Sequence, residues 1–449
     1  MFEKILIANR GEIACRVARA ARALGVKTVA VFSDADANAL HVQASDEAVR
    51  LGPAPPRESY LDVSRVLAAA RSTHAQAIHP GYGFLSEQAE FAQACADAGV
   101  VFVGPPAAAM RAIKDKAQAR AVMRAAGVPV VPGSEGHVGD ENAAREWAAS
   151  VGFPLLVKAA AGGGGIGMQV ARDEAELSKA LRACSDRARA SFGKDAVYLE
   201  RYFEKPRHVE VQILGDSRLT LAVGARECSI QRRHQKVIEE APPPAFAGRP
   251  ALLQKFLDAG LTAARAVGYA NAGTCEFLLV DDQFYFIELN ARLQVEHPIT
   301  EATTGLDLVQ LQLRIAAGEH LPIGQKDVEP RGHAIECRIN AEDPVKFFPS
   351  PGPVKRFDPP VPADGAFHDG IRIDAGYRAG DTVTPYYDSL LAKIISYAPT
   401  RGQAIDRMRA ALQEFAIEGV KTNIPLHLKV LASEAFARGE IDTQFLARL

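Results

Sequence analysis

Residues 273–298 read GTCEFLLVDDQFYFIELNARLQVEHP, two β-rich runs on either side of Asp281, Asp282 and Gln283. Apolar and aromatic flanks around a short acidic turn predict an antiparallel hairpin. If the hairpin closes around residue 282, Glu276 and Glu288 are equidistant from the turn and face each other, their Cβ atoms ~5 Å apart. Asn290, two residues further on, leaves the same face of its strand. Two carboxylates opposed in this way repel unless a cation lies between them. Hard oxygen ligands completed by phosphate and water describe Mg²⁺; a face of solvated acids is the alternative reading. Arg292, Gln294 and Glu296 keep the same parity if the chain stays extended, which sets a cation, an amide and a carboxylate beyond the metal. That is an anion pocket with a base at its end.

A second stretch, LLVKAAAGGGGIGMQVA (155–171), places five glycines among residues 162–168. A P-loop needs its lysine after the glycines and a helix to follow, whereas here Lys158 precedes them and MQVA reads as strand. Strand, glycine turn and strand predict a hairpin flap whose N–H groups can close over phosphates; a plain flexible loop is the other reading. Two further clusters carry cations: SIQRRHQKVIEEAPPP (229–244), with Arg232, Arg233, His234 and Lys236, and HAIECRINAEDP (333–344), where Arg338 lies on an alternating strand between Glu336 and Asn340. Taken singly, the first also reads as a solvated basic face and the second as a surface ion pair.

Length and composition bound these readings. A chain of 449 residues, 48% hydrophobic, predicts about three domains with ample cores. With 52 basic and 54 acidic residues the net charge is -2, so no bulk field draws it to nucleic acid or a membrane surface. The N-terminal apolar run, Ile5 to Ala8, is too short for a signal core, and no run nears the ~20 residues of a membrane span. A cytoplasmic location is expected. The six cysteines are scattered without a C-x-x-C pair, so neither a disulfide framework nor a zinc cage is suggested. KILIANRGEIACRVARAARALGVKTVAVFSDAD (4–36) reads strand, helix, strand, a βαβ unit of a parallel sheet. A G-x-G-x-x-G turn would signal a dinucleotide, and only Gly11 stands there. The pattern predicts an N-terminal α/β domain over 1–114, a helical linker over 115–130, a small lid domain over 131–203 carrying the flap, and a catalytic remainder over 204–449.

In one order, ILIANRGEIA, HPGYGFLSE, QRRHQK, FIELNARLQVEHPITE, RGHAIECRINAEDP and PYYDSLLAK cover essentially residues 2–445. The chain thereby resembles the biotin carboxylase subunit or domain of biotin-dependent carboxylases such as acetyl-CoA carboxylase, members of the ATP-grasp enzymes. The resemblance implies an α/β (α+β) ATP-grasp fold: an N-terminal parallel-sheet domain, a small mobile lid domain and a C-terminal mixed α/β domain whose family-specific region begins near residue 332. It implies a ligase that uses ATP and Mg²⁺ or Mn²⁺ to phosphorylate bicarbonate to carboxyphosphate, then passes the carboxyl group to N1′ of biotin.

By position in the motifs, Lys116 and Lys158 match lysines on the ATP phosphates. Gly164 and Gly165 match the flap, Glu200, Arg201, Tyr202 and Phe203 the hinge against adenine, and His208, Gln231 and His234 further nucleotide contacts. Glu276 and Glu288, with Asn290, match the metal ligands. Lys236, Arg292, Gln294 and the Val295 backbone match the bicarbonate site, Glu296 the general base, and Arg338 the residue that steadies the biotin enolate. The physics agrees: phosphoryl transfer is mostly positioning and charge neutralisation, and a carboxylate base works on bicarbonate only where neighbouring cations stabilise the emerging anion. Family carrier domains hold biotin on a lysine between methionines, and none of the five methionines here precedes a lysine. Biotin is therefore expected on a separate biotin carboxyl carrier protein, with separate carboxyltransferase subunits, and the family suggests a homodimer. Family flaps usually carry Arg or Lys where this chain has Ile166.

Overall fold

The computed structural model describes residues 1–134, 136–138, 140–159, 168–192, 196–233 and 235–449. The N-terminal βαβ pattern is realised as a parallel five-stranded sheet in the order β3-β2-β1-β4-β5. Its strands are β1 (Lys4–Ile7), β2 (Lys27–Ser33), β3 (Glu47–Gly52), β4 (Ala77–His79) and β5 (Val101–Phe102). Ile5, Leu6 and Ile7 are wholly buried, as strands covered on both faces require. The helix Gly11–Ala23 lays Ile13, Val17, Ala20 and Ala21 against that sheet, the buried stripe that their spacing predicts.

The predicted flap stem is present: β6 (Leu155–Ala159) pairs antiparallel with β7 (Met168–Ala171), and β8 (Val197–Arg201) adds to β6 on its other edge. The helices Glu141–Val151 and Glu174–Phe192 accompany this small sheet, and Ala144, Leu177, Ala180 and Cys184 are wholly buried beside it. The glycines between the stem strands, Gly164 and Gly165 among them, lie outside the described residues, as do Ile166 and His234.

A nine-stranded antiparallel sheet carries the rest, in the order β13-β12-β9-β10-β11-β14-β20-β18-β17. It uses β9 (Arg207–Gly215), β10 (Thr220–Arg232), β11 (Gln235–Ala241), β12 (Asn271–Val280), β13 (Gln283–Asn290) and β14 (His333–Asn340). Short pairs then form between β15 (Gly352–Pro353) and β19 (Thr382–Val383), and between β16 (Arg356–Asp358) and β21 (Ala416–Glu418). The edge is completed by β17 (Phe367–His368), β18 (Ile371–Ala375) and β20 (Leu390–Ala398). The β11–β14 pairing makes the sheet continuous from the hairpin to the C-terminal region. Behind the hairpin, Phe256, Phe277, Phe284 and Phe286 meet edge to face at 5.1–5.8 Å between centroids, an aromatic base that holds the acidic strands still.

Buried ion pairs fix the N-terminal sheet to this platform. Arg16 bonds Glu301 at 2.8 Å and Asp307 at 2.7 Å, while Arg372 bonds Glu301 at 2.8 Å and Asp374 at 2.7 Å. Gly376 lies where a Cβ would come within 2.4 Å of the Glu12 backbone nitrogen. A Gly376→Ala substitution is expected to cost about 1–3 kcal/mol of stability by overpacking this junction, seen as a lower Tm by calorimetry; an unchanged Tm would mean that the two segments separate easily.

Candidate active site

The hairpin pairs Glu276 with Glu288 and Thr274 with Asn290, as its sequence predicts. The route differs from a simple count. Val280 pairs with Gln283 across a two-residue turn in which Asp281 takes φ +52°, and a β-bulge beside Glu276 then shifts the register by one. Without it Glu276 would oppose Ile287 and one acid would leave the face; bulges re-aim side chains next to active sites in this way.

Each acid is met by a lysine from another element. Asp115 caps the helix Lys116–Ala125 by accepting from the Gln118 N–H at 2.8 Å. This places Lys116 on the first turn, where its Nζ lies 3.1 Å from Glu288 Oε2. Lys236 of β11 gathers three carboxylates, with Nζ 2.6 Å from Glu210, 2.8 Å from Glu276 and 2.7 Å from Glu296. Burial alone would depress its pKa; the three acids outweigh that and hold it well above the ordinary lysine range. Burial pushes Glu276 and Glu296 the other way, yet Lys236 first, with His208 for Glu276 and Arg338 for Glu296, holds both well below the usual carboxylate range. The site is a cluster of opposite charges that hold one another in place.

The remaining side chains orient this cluster. The Gln231 amide nitrogen lies 2.6 Å from His208 Nδ1, and the opposite ring nitrogen lies 3.1 Å from Glu276 Oε2. Gln294 donates to Glu276 at 3.1 Å, and Arg292 donates to Gln294 at 3.0 Å and to Asn290 at 3.3 Å. Arg338 donates from Nε to Glu239 at 2.7 Å and from Nη2 to Glu296 at 2.9 Å. Lys393 holds the Val295 carbonyl at 2.8 Å, which fixes the backbone between the amide and the base.

One expectation needs correcting. The chain does not stay extended beyond β13: it bends from Ala291 and turns at Val295 and Glu296 into the helix His297–Thr304, opened by Pro298. Arg292, Gln294 and Glu296 still converge, through the bend rather than through strand parity.

A cleft of about 1180 Å³ collects Lys116, His208, Lys236, Glu276, Glu288, Asn290, Arg292, Gln294, Val295 and Arg338 among its lining. Lys158 and the 200–203 stretch are not part of that lining. Lys158 bonds Glu200, which also holds Arg120 at 2.9 Å, while the Phe203 ring stacks on Tyr285 at 5.1 Å and Arg201 lies 6.0 Å from that ring. Tyr202 donates its N–H to the Pro154 carbonyl at 3.0 Å, so the 200–203 stretch is pinned to the lid sheet and the hairpin. Several functional groups escaped sequence reading: Glu210, which shares Lys236; the wholly buried Arg226, which bonds Glu210 at 2.5 Å; Glu87, 3.3 Å from Arg292; and Glu239. A charge inside an apolar strand run, as Glu210 stands in HVEVQIL, was the available signal.

The donor set of Glu276, Glu288 and the Asn290 side chain fits a hard divalent cation. The two acids are register partners with a lysine on each, and Asn290 offers its amide oxygen on the same face, held by Arg292 at 3.3 Å. Glu288→Gln removes one charged oxygen donor, and the Mg²⁺ needed for half-maximal ADP release is expected to rise about tenfold or more. An unchanged Mg²⁺ titration would remove Glu288 from the metal set.

Comparison with known proteins finds matches along nearly the whole chain. Three family models match in succession: the biotin carboxylase N-terminal domain over residues 1–110, the carbamoyl-phosphate synthase L chain ATP-binding domain over 115–324, and the biotin carboxylase C-terminal domain over 336–448. Biotin carboxylase 1 of Bacillus subtilis is 49% identical over 450 residues, covering 99% of this chain and 98% of that one. A biotin carboxylase from Campylobacter jejuni, solved in an ATP complex, superposes with a TM-score of 0.95 at 42% identity, covering 100% of this chain and 99% of that one. The biotin carboxylase domain dimer of the Hydrogenobacter thermophilus 2-oxoglutarate carboxylase, solved with magnesium ADP, ADP and bicarbonate, superposes with a TM-score of 0.93 at 44% identity, covering 100% of this chain and 98% of that one.

Proposed function

The chain belongs to the biotin carboxylase family, and from that premise we propose how its residues divide the work of an ATP-dependent ligase. The first half-reaction joins bicarbonate to the γ-phosphoryl group of ATP, giving carboxyphosphate and ADP; the second passes the carboxyl group to N1′ of biotin and releases phosphate. Lys116 and Lys158 hold the nucleotide phosphates, with His208 and the 200–203 hinge on the nucleotide side. Glu276, Glu288 and Asn290 hold Mg²⁺ or Mn²⁺, which when bound neutralises phosphate charge. Lys236, Arg292, Gln294 and the Val295 backbone seat bicarbonate, Glu296 takes its proton, and Arg338 meets the biotin enolate.

The single observation that carries this division is the placement of Glu296, 2.7 Å from Lys236 and 2.9 Å from Arg338. One buried carboxylate touches Lys236, the lysine assigned to bicarbonate, on one side and Arg338, the arginine assigned to biotin, on the other. Biotin arrives on a biotin carboxyl carrier protein, with carboxyltransferase subunits as further partners and a second copy of this chain in a homodimer. Among the described residues no helix is long and apolar enough to cross a membrane. The test is Mg²⁺-dependent ADP release that requires bicarbonate and rises with biotin. No stimulation by free biotin or by a biotinylated carrier overturns the reading, and stimulation by another acceptor would assign a different ligase.

A further inference from the structure

Behind Arg338 the sheet buries more acid than the reaction uses. Glu239 of β11 and Glu336 of β14 are register partners, and both are 0% exposed. Opposed residues on antiparallel strands leave the same face with Cβ atoms roughly 5 Å apart. Glu239 Oε1 accepts from Arg338, at 2.7 Å from Nε and 2.5 Å from Nη2. Its Oε2 and both oxygens of Glu336 are buried without a hydrogen-bond partner among the described residues. A carboxylate in that condition, facing a second one, does not persist as an anion; two such groups share a proton.

The surroundings support one proton on this pair. From β14 itself Arg338 faces it, and from β20 Lys393, whose ammonium is committed to the Val295 carbonyl at 2.8 Å and lies 3.3 Å from Glu12. Glu12 comes from the helix Gly11–Ala23 and is bonded by the Tyr82 hydroxyl. Glu296 comes from the turn before the helix His297–Thr304, and Lys236 from β11. Burial is the largest influence on both acids, and the cations do not offset it: Glu336 rises well above the carboxylate range, and Glu239 is pushed up to about 7.

We propose that Glu336 keeps a proton that it shares with Glu239, and that the pair positions Arg338 for the biotin step. Glu239 supplies the one negative charge that anchors the guanidinium, while the withheld charge of Glu336 keeps the local field at Arg338 positive toward an enolate. The pair acts through Arg338, and the inference rests on the role given to that arginine above. Raising the pH until the proton leaves adds a second negative charge beside Arg338 and Glu296, so the biotin step weakens on the alkaline side.

The experiment compares the pH dependence of kcat/KM for biotin in the unsubstituted chain and in Glu336→Gln, a neutral isostere that cannot ionise. The alkaline limb is expected to move up by about one pH unit or more in the variant, with neutral-pH activity retained. Superimposable limbs overturn the proposal, because a merely structural glutamate would leave the profile where it was. Infrared spectroscopy of the unsubstituted chain supplies a readout independent of turnover: a protonated-carboxyl C=O band at pH 8 that is absent from Glu336→Gln. Absence of that band in the unsubstituted chain also overturns it. Lack of any biotin dependence at any pH, with the band present, would instead sink the reading of Arg338.

Discussion

Replacing Glu296 by glutamine is expected to lower biotin carboxylation by about 10²–10⁴-fold, the usual contribution of a positioned general base, while ATP binding persists. Glu296 is wholly buried, and its two oxygens are divided between Lys236 at 2.7 Å and Arg338 at 2.9 Å. Burial opposes its ionisation, but Lys236, Arg338 and Arg226 together keep its pKa well below the ordinary range. A base so stabilised is weak by itself. It gains strength when bicarbonate draws Lys236 and Arg292 toward its own charge, which loosens the grip on Glu296 and acidifies the proton to be removed. Glutamine keeps the size and a hydrogen-bonding oxygen but accepts no proton, and it leaves Lys236 with Glu210 and Glu276 as partners. The nucleotide-side groups Lys116 and His208 bond other residues, so ATP affinity measured by calorimetry should survive the loss of ADP release. Turnover equal to that of the unsubstituted chain would strip Glu296 of the base role.

The same residue shows how far the sequence could be read. Counting from residue 282 pairs Glu276 with Glu288, and that pairing is present, but it depends on a bulge that no alternation of side chains announces. A bulge shifts the register by one residue, and in the continuous apolar runs FLLV and FYFI there is no alternation for that shift to interrupt. The parallel N-terminal sheet and the flap stem were legible because apolar runs and glycine breaks state them locally. The bend after Asn290 was not read, although the Pro298 that opens the following helix marks it. Least legible was the clustering itself. Lys236 meets Glu210 across 26 residues, Glu276 across 40 and Glu296 across 60, contacts set by the order of strands in the nine-stranded sheet rather than by local pattern. Motif resemblance named Lys236 and Glu296; it offered nothing for Glu239 and Glu336, which appear in the sequence only as charges inside apolar strands.

Exchanging Arg338 for lysine is expected to separate the two half-reactions. The guanidinium serves two acids at once, Nε and Nη2 on Glu239 and Nη2 on Glu296, and its planar fork still has donors to spare. A lysine ammonium keeps the charge but is a single nitrogen, so it does not reproduce the fork that spans Glu239 and Glu296 with donors left for biotin, and one of the present contacts is expected to be lost. Losing one charge-assisted hydrogen bond costs about 1.5–3 kcal/mol, and each 1.4 kcal/mol is about tenfold in rate. The biotin-dependent rate should therefore fall by roughly 10²-fold. In the proposed division of work, bicarbonate-dependent ATP cleavage without biotin draws on Lys236, Arg292 and Glu296, and Arg338 enters it only as one of three cations that favour ionised Glu296. That activity should fall by less than tenfold, since Lys236 and Arg226 remain. Steady-state ADP release with and without biotin measures both. An equal fall in the two would place Arg338 in the bicarbonate step and make the Glu239 anchor a support for the base instead of for the enolate.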